Sequence, residues 1–133
     1  GLAQHGVTLY AHVVGGYSFE GAARAARELM ALKRRPDAIF AANDQMAFSV
    51  IDVVRSEYGM RVPQDISIIG YDDVPQASWK GYDLTTVSQS YLEMVEQTTR
   101  ILIEQIDNKI VKKRAAVLPA KLVIRGSARL PKP

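Results

Sequence analysis

The sequence predicts an α/β fold in which helices flank a parallel sheet. Three observations support this: two short apolar runs, at residues 38–42 and 66–70, and between them a segment whose apolar positions have the period of a helix. Neither run alternates with polar residues, which is typical of strands covered on both faces. The segment from 36 to 73 is therefore a strand–helix–strand unit, from which parallel sheets are built.

Two elements are expected before this unit. Residues 7–14 (VTLYAHVV) are β-branched and aromatic, so they predict a first strand that ends at the glycine pair 15–16. Ser18 is then expected to cap a helix. The apolar residues that follow repeat with the helical period: Phe19, Ala22, Ala23, Ala26, Leu29 and Met30.

The central helix is predicted at residues 44–58. Asn43 and Asp44 stand at its start, where side-chain oxygens accept the free backbone N–H groups of the first turn. Gly59 is expected to end the helix in the left-handed conformation. The apolar positions fall on one face: Ala47, Val50, Ile51, Val54 and Tyr58.

Four further elements complete the chain. Residues 75–82 contain Pro, Gly, Ser and the single Trp, and they predict a loop. A short strand is expected at 84–87. A last strand at 116–124 is expected at a sheet edge, because Pro119 cannot donate to a ladder. Between these strands, residues 90–108 form the longest predicted helix. One face of it carries Leu92, Val95, Thr99, Leu102 and Ile106.

The composition excludes several classes of protein. A chain of 133 residues, 47% of them hydrophobic, suits one domain with its own core. It has no apolar run long enough to cross a membrane. Without cysteine there are no disulfides and no thiolate sites. The two histidines lack metal-ligand spacing, and no phosphate-binding glycine loop is present. We therefore expect no metal, no cofactor and no membrane contact.

Charge is divided unevenly along the chain. From Lys109 onward there are eight basic residues and no acidic one, whereas residues 1–108 carry nine bases and fourteen acids. A basic tail can contact nucleic acid, but this one has no interleaved aromatic residues. We expect a solvated loop and an edge strand with a frayed end.

Polar side chains follow both strands of the central unit, at Asn43 and Asp44 and again at 71–73. Ligands of open parallel sheets bind outside the carboxyl ends of the strands, so these residues predict one rim of a cleft. Asn43 is either the helix cap or, if Asp44 caps, a ligand contact. Asp72 and Asp73 are adjacent in an extended segment, so only one of them faces the cleft. With no acid–base partner across the site, the sequence does not favour an enzyme.

Three motifs identify a family when they are taken together. AIFAANDQMAF (38–48), VPQDISIIGYDD (62–73) and LTTVSQ (84–89) resemble, in order and spacing, the effector-binding core of the lactose/galactose-repressor family of bacterial transcriptional regulators. The resemblance covers essentially the whole chain. It implies a fold like that of periplasmic binding proteins, with Rossmann-like lobes, in a cytoplasmic regulator that binds operator DNA through an N-terminal helix-turn-helix missing from this chain. The alternatives are half of a periplasmic sugar-binding protein of an ABC transporter and a sugar-modifying enzyme.

The resemblance also implies how the chain is divided and where it binds. Residues 1–88 correspond to the C-terminal lobe, 89–115 to a helix that belongs to the N-terminal lobe in the intact protein, and 116–133 to a returning strand and basic tail. The predicted contacts to a small-molecule effector, in particular a sugar, are Asn43, Asp72, Gln89 and Tyr17. For Tyr17, packing on its own helix is an equal alternative.

A homodimer is implied as well, because the helix matching residues 44–58 lies in the dimer interface of the family. Phe48 is off the apolar face of this helix, so we expect it to be exposed and to meet its own copy, beside Ser49 and Asp52. Alternatively, Phe48 fills the gap beneath the loop around Trp79. The helix at 90–108 is expected to have lost its natural cover.

Overall fold

The computed structural model describes residues 2–107 and 115–130 and confirms the α/β fold. Its main elements are α1 (Phe19–Met30), β1 (Ala38–Phe40), α2 (Asp44–Ser56), β2 (Ser67–Asp72), β3 (Thr85–Ser88), α3 (Tyr91–Asp107) and β4 (Lys121–Val123). The strands form one sheet in the order β1-β2-β3-β4. The first three strands are parallel, and β4 pairs antiparallel with β3. None of the described helices is long and apolar enough to cross a membrane.

Helix α1 begins as predicted. The Ser18 hydroxyl accepts the backbone N–H of Gly21 at 3.1 Å and so caps the first turn. A side chain at Gly21 would place its Cβ only 1.9 Å from the carbonyl oxygen of Gly15, so the turn before the helix can press directly onto its start. The turn at residues 15–18 is thereby held against α1.

Helix α2 is the centre of the core. Ala47, Ile51 and Val54 are fully buried, as the helical period predicts. Gly59 has a φ of +60°, the left-handed conformation expected after the helix. The buried apolar residues of α2 form one cluster with those of α1 and of the strands. Burial of such a cluster is the main favourable contribution to folding.

The predicted first strand is wrong. Residues 7–14 have no strand structure, and most of their side chains are exposed. The Tyr10 hydroxyl donates to the carbonyl of Arg34 at 2.8 Å, a side-chain contact and not a strand pairing. A strand requires a hydrogen-bonded neighbour whatever its β propensity, and within the described residues β1 pairs with β2 alone.

The C-terminal segment is only partly as expected: most of its described residues are exposed and β4 lies at the sheet edge, but residues after β4 are anchored to the sheet. Ser127 is buried: its hydroxyl donates to the carbonyl of Ile68 at 2.6 Å and accepts the N–H of Thr85 at 2.8 Å. The Arg129 guanidinium donates to the carbonyl of Asp37 at 2.8 Å. A small hydroxyl fits between neighbouring strands and satisfies their free backbone groups. Residues 108–114 and 131–133 of the predicted tail and helix lie outside the described residues.

Helix α3 contributes nothing to the core. None of its residues is buried. Its predicted apolar face is uncovered, with exposed fractions of 70%, 62%, 55% and 66% for Leu92, Val95, Leu102 and Ile106. In the described part of the chain, the helix therefore does not pack against the sheet.

Candidate ligand-binding site

The structure brings Asp72 and Gln89 together at the carboxyl ends of neighbouring strands. Asp72 ends β2 and is paired with Ser88 at the end of β3. The Gln89 side-chain amide donates to Asp72 Oδ1 at 2.9 Å. This contact follows from the parallel alignment of the strands, whose carboxyl ends lie at one edge of the sheet.

Asn43 caps α2, and the idea that Asp44 would be the cap is wrong. Asn43 has an extended backbone, and its Oδ1 accepts the N–H of Met46 at 2.8 Å. Half of the amide group is thus committed to the helix. The side chain is only partly buried at the rim of the sheet. Its contact with an effector stays a prediction.

Asp44 has a role that sequence reasoning missed. Its side chain is fully buried, Oδ1 accepts the Thr86 hydroxyl at 2.5 Å, and Oδ2 accepts the N–H of Val74 at 2.9 Å. A Cβ on Gly70 would lie 2.2 Å from Oδ1, so only glycine leaves room for the carboxylate above β2. Burial raises the pKa of Asp44, and the two hydrogen bonds lower it in part.

Asp72 and Asp73 have different partners, Gln89 for Asp72 and Arg125 for Asp73. Asp73 Oδ1 forms an ion pair with Arg125 at 2.7 Å, and both side chains are largely buried. The backbone at these positions is unusual, because φ is +116° at Asp72 and +58° at Asp73. Two successive non-glycine residues with positive φ are strained and persist only when surrounding contacts hold them.

Tyr17 lies in the turn before α1, with a φ of +51°. Its side chain is 74% exposed, so the alternative that it packs on its own helix is wrong. The turn adjoins the start of α2, since a Cβ on Gly15 would be 2.5 Å from the Cε of Met46. The ring thus projects from a turn that contacts the helix capped by Asn43.

Tyr91 is a further rim residue that the sequence reasoning did not select. Partial burial raises its pKa, and the negative charge of Asp72 raises it further. The phenol group therefore stands close to the carboxylate that Gln89 contacts. Its position at the start of a helix, two residues after Gln89, is the sequence feature that could have identified it as a rim residue.

The expectation that Phe48 is exposed is wrong. The side chain is only 8% exposed, and its ring stacks on that of Tyr82 with 4.3 Å between centroids. Ser49 is also buried and donates to the carbonyl of Phe19 at 2.6 Å, while Asp52 accepts the Tyr82 hydroxyl at 3.3 Å. Phe48 thus fills the space beneath the loop around Trp79, as the alternative held. The interface role of Phe48, Ser49 and Asp52 stays a prediction, but the exposure of Phe48 no longer supports it.

Comparison with known proteins identifies the family. The model of the periplasmic binding protein-like domain matches residues 1–128. The HTH-type transcriptional repressor PurR of Photobacterium profundum is 35% identical over 130 residues, 96% of this chain and 39% of that protein. The Ribose operon repressor of Escherichia coli is 37% identical over 116 residues, 87% of this chain and 35% of that protein. The chain thus spans little more than a third of these relatives.

Solved structures agree with the sequence relatives. The transcriptional regulator CelR in complex with cellobiose has a TM-score of 0.86 at 30% identity, over 96% of this chain and 39% of that one. The Lac repressor bound to ONPG has a TM-score of 0.85 at 28% identity, over 96% of this chain and 38% of that one. Because the named relatives are repressors, the alternative of a transporter's periplasmic binding protein is not supported. The chain therefore belongs to the periplasmic binding protein-like family, as part of a LacI/GalR-type effector-binding domain.

Proposed function

We propose that this chain forms half of the effector site of a transcriptional regulator, binds a small polar metabolite such as a sugar, and does not catalyse its conversion. The observation that carries the proposal is the contact between Asp72 and Gln89 at the carboxyl ends of β2 and β3. The partly buried Asn43 follows the parallel strand β1 at the same edge of the sheet. The named relatives are repressors, which supports binding without catalysis. Structures of related regulators with cellobiose or sucrose support the proposal that the ligand is a sugar.

The chemistry of these groups suits a polyhydroxylated ligand. A carboxylate offers two acceptor oxygens, and an amide offers both donors and an acceptor. Such groups select for hydroxyls, because an analogue that lacks the hydroxyl leaves them unpaired. The exposed ring of Tyr17 adds an apolar face that can lie against sugar C–H groups.

The chain spans 39% and 35% of the two named repressors, so we propose that it is one part of a longer regulator. We place residues 1–88 in one lobe, 89–115 in a helix of the other lobe and 116–133 in the returning segment. Operator binding is assigned to a helix-turn-helix outside the chain, and the active form to a homodimer in the cytoplasm. The named relatives are repressors, which supports this arrangement.

Asp72→Asn tests the site directly. In the full-length protein we expect the change to weaken effector binding roughly 5- to 150-fold, because a lost contact to a buried hydroxyl costs about 1–3 kcal/mol. Calorimetric titration with ribose, cellobiose, sucrose and purine bases measures it. Asp65→Asn, before the amino end of β2, is the control and should leave the affinity unchanged. Equal affinity of Asp72→Asn and wild type for a sugar that binds would refute the assignment.

Helix α3 gives a second prediction. Each large apolar side chain of its exposed face is worth about 1.5–3 kcal/mol when fully buried, so the face should be covered by another surface. In the isolated chain we expect hydrogen-exchange protection of residues 92–106 to fall as the sample is diluted. In the full-length protein, where the other lobe covers the helix, protection should not depend on concentration. Equal protection of assembled and monomeric isolated chain would show that α3 needs no partner.

A further inference from the structure

We propose that Asp44 is a positioning residue of the ligand site: its buried carboxylate holds the turn at residues 72–74 in place, so that effector affinity depends on a side chain the effector never touches. The effect on effector affinity rests on the proposed function. The control of the turn rests on the geometry alone.

The strained backbone of the turn must be stabilised by contacts from other parts of the fold. Asp72 and Asp73 both have positive φ, a conformation that non-glycine residues leave unless contacts oppose it. Val74 returns to an ordinary extended backbone, with φ −65° and ψ 155°. Its N–H, the first peptide group after the strained pair, donates to Asp44 Oδ2 at 2.9 Å. This bond fixes the end of the turn.

The other carboxylate oxygen is tied to the sheet. Asp44 Oδ1 accepts the Thr86 hydroxyl at 2.5 Å, and Thr86 is fully buried on β3. On β2, Gly70 leaves the space that the carboxylate occupies. One side chain thus bonds the turn to β3 and occupies the space beside Gly70 on β2. Since Asn43 immediately precedes Asp44 and caps α2, Asp44 also fixes Asn43 relative to Asp72.

Asp44 cannot be a ligand contact itself. Its exposed fraction is 0%, and each oxygen already accepts a hydrogen bond. A buried carboxylate is costly to keep in a protein interior. The turn needs an acceptor for the N–H of Val74, and β3 needs a hydrogen-bonding partner for the Thr86 hydroxyl, and Asp supplies both from one short side chain.

Three variants of the full-length protein separate positioning from general stability. Asp44→Ala removes both acceptors. Asp44→Asn keeps the shape, since its amide oxygen accepts from Val74 while its nitrogen donates to the Thr86 hydroxyl oxygen. Val54→Ala is the matched control, because Val54 is fully buried in the same helix and has no bond to the turn.

Two measurements are made on each variant: amide exchange at residues 72–74 relative to Ile68, and calorimetric affinity for ribose, cellobiose and sucrose. With Asp44→Ala we expect exchange at Val74 to rise roughly tenfold more than at Ile68, and affinity to fall at least about tenfold. Asp44→Asn should retain most of the amide protection at Val74 and most of the effector affinity. Val54→Ala should accelerate the two amides equally and leave affinity within about twofold.

The outcomes distinguish the two proposals. If Asp44→Ala and Val54→Ala give the same exchange pattern, Asp44 is only a core residue and the inference is overturned. The inference also fails if the turn loosens but affinity for a bound sugar is unchanged. If wild type binds none of the three sugars, the proposed sugar specificity fails, while the exchange at Val74 still decides whether Asp44 holds the turn.

Discussion

Phe48→Ala is expected to lower the free energy of unfolding by about 3–5 kcal/mol, because it removes a buried ring and leaves a cavity. The ring is 8% exposed and stacks on Tyr82, so its loss also removes an aromatic pair. Urea unfolding followed by circular dichroism measures the change.

Phe40→Ala is the control for this prediction. Phe40 is 62% exposed on the edge strand β1, so the same truncation should cost no more than about 0.5 kcal/mol there. One specific result for Phe48→Ala would restore the hypothesis that Phe48 lies in a dimer interface. If Phe48→Ala kept full stability but halved the particle mass in light scattering, the ring would be an exposed dimer contact.

Asp44→Ala and Gly70→Ala are expected to be strongly coupled. Without the carboxylate, the N–H of Val74 and the hydroxyl of Thr86 lose their acceptor, at about 1–3 kcal/mol for each group. Gly70→Ala brings a methyl group to 2.2 Å from Asp44 Oδ1 and 2.9 Å from Leu84 Cδ2, and such overpacking costs about 1–3 kcal/mol or more.

In the double variant the new methyl group enters space that the carboxylate has left. We therefore expect its loss of stability to be smaller than the sum of the two single losses by at least about 1 kcal/mol. Denaturant unfolding of the four proteins gives this coupling energy. Additive losses would mean that Gly70 and Asp44 are not in contact. Room for the carboxylate would then not explain the glycine at position 70.

The sequence by itself predicted the three helices α1 to α3, the three parallel strands β1 to β3 and the polar residues of the candidate site. Ser18 and the apolar period predict α1, and Gly59 predicts the end of α2. The polar residues after β1 and β2 predict a rim, which contains Asn43 and Asp72. These features depend on residues close together in the chain, since caps and periodicity are local properties.

The tertiary structure alone decided the features that depend on distant partners. Residues 7–14 have β propensity but pair with no strand in the described part of the chain. Asp44 is bonded to residues 30 and 42 positions away, and Ser127 to a residue 59 positions away. Local sequence cannot reveal such contacts, because a buried polar group is tolerated only where the fold supplies its partners. For the same reason, the burial of Phe48 depended on where the loop carrying Tyr82 came to lie.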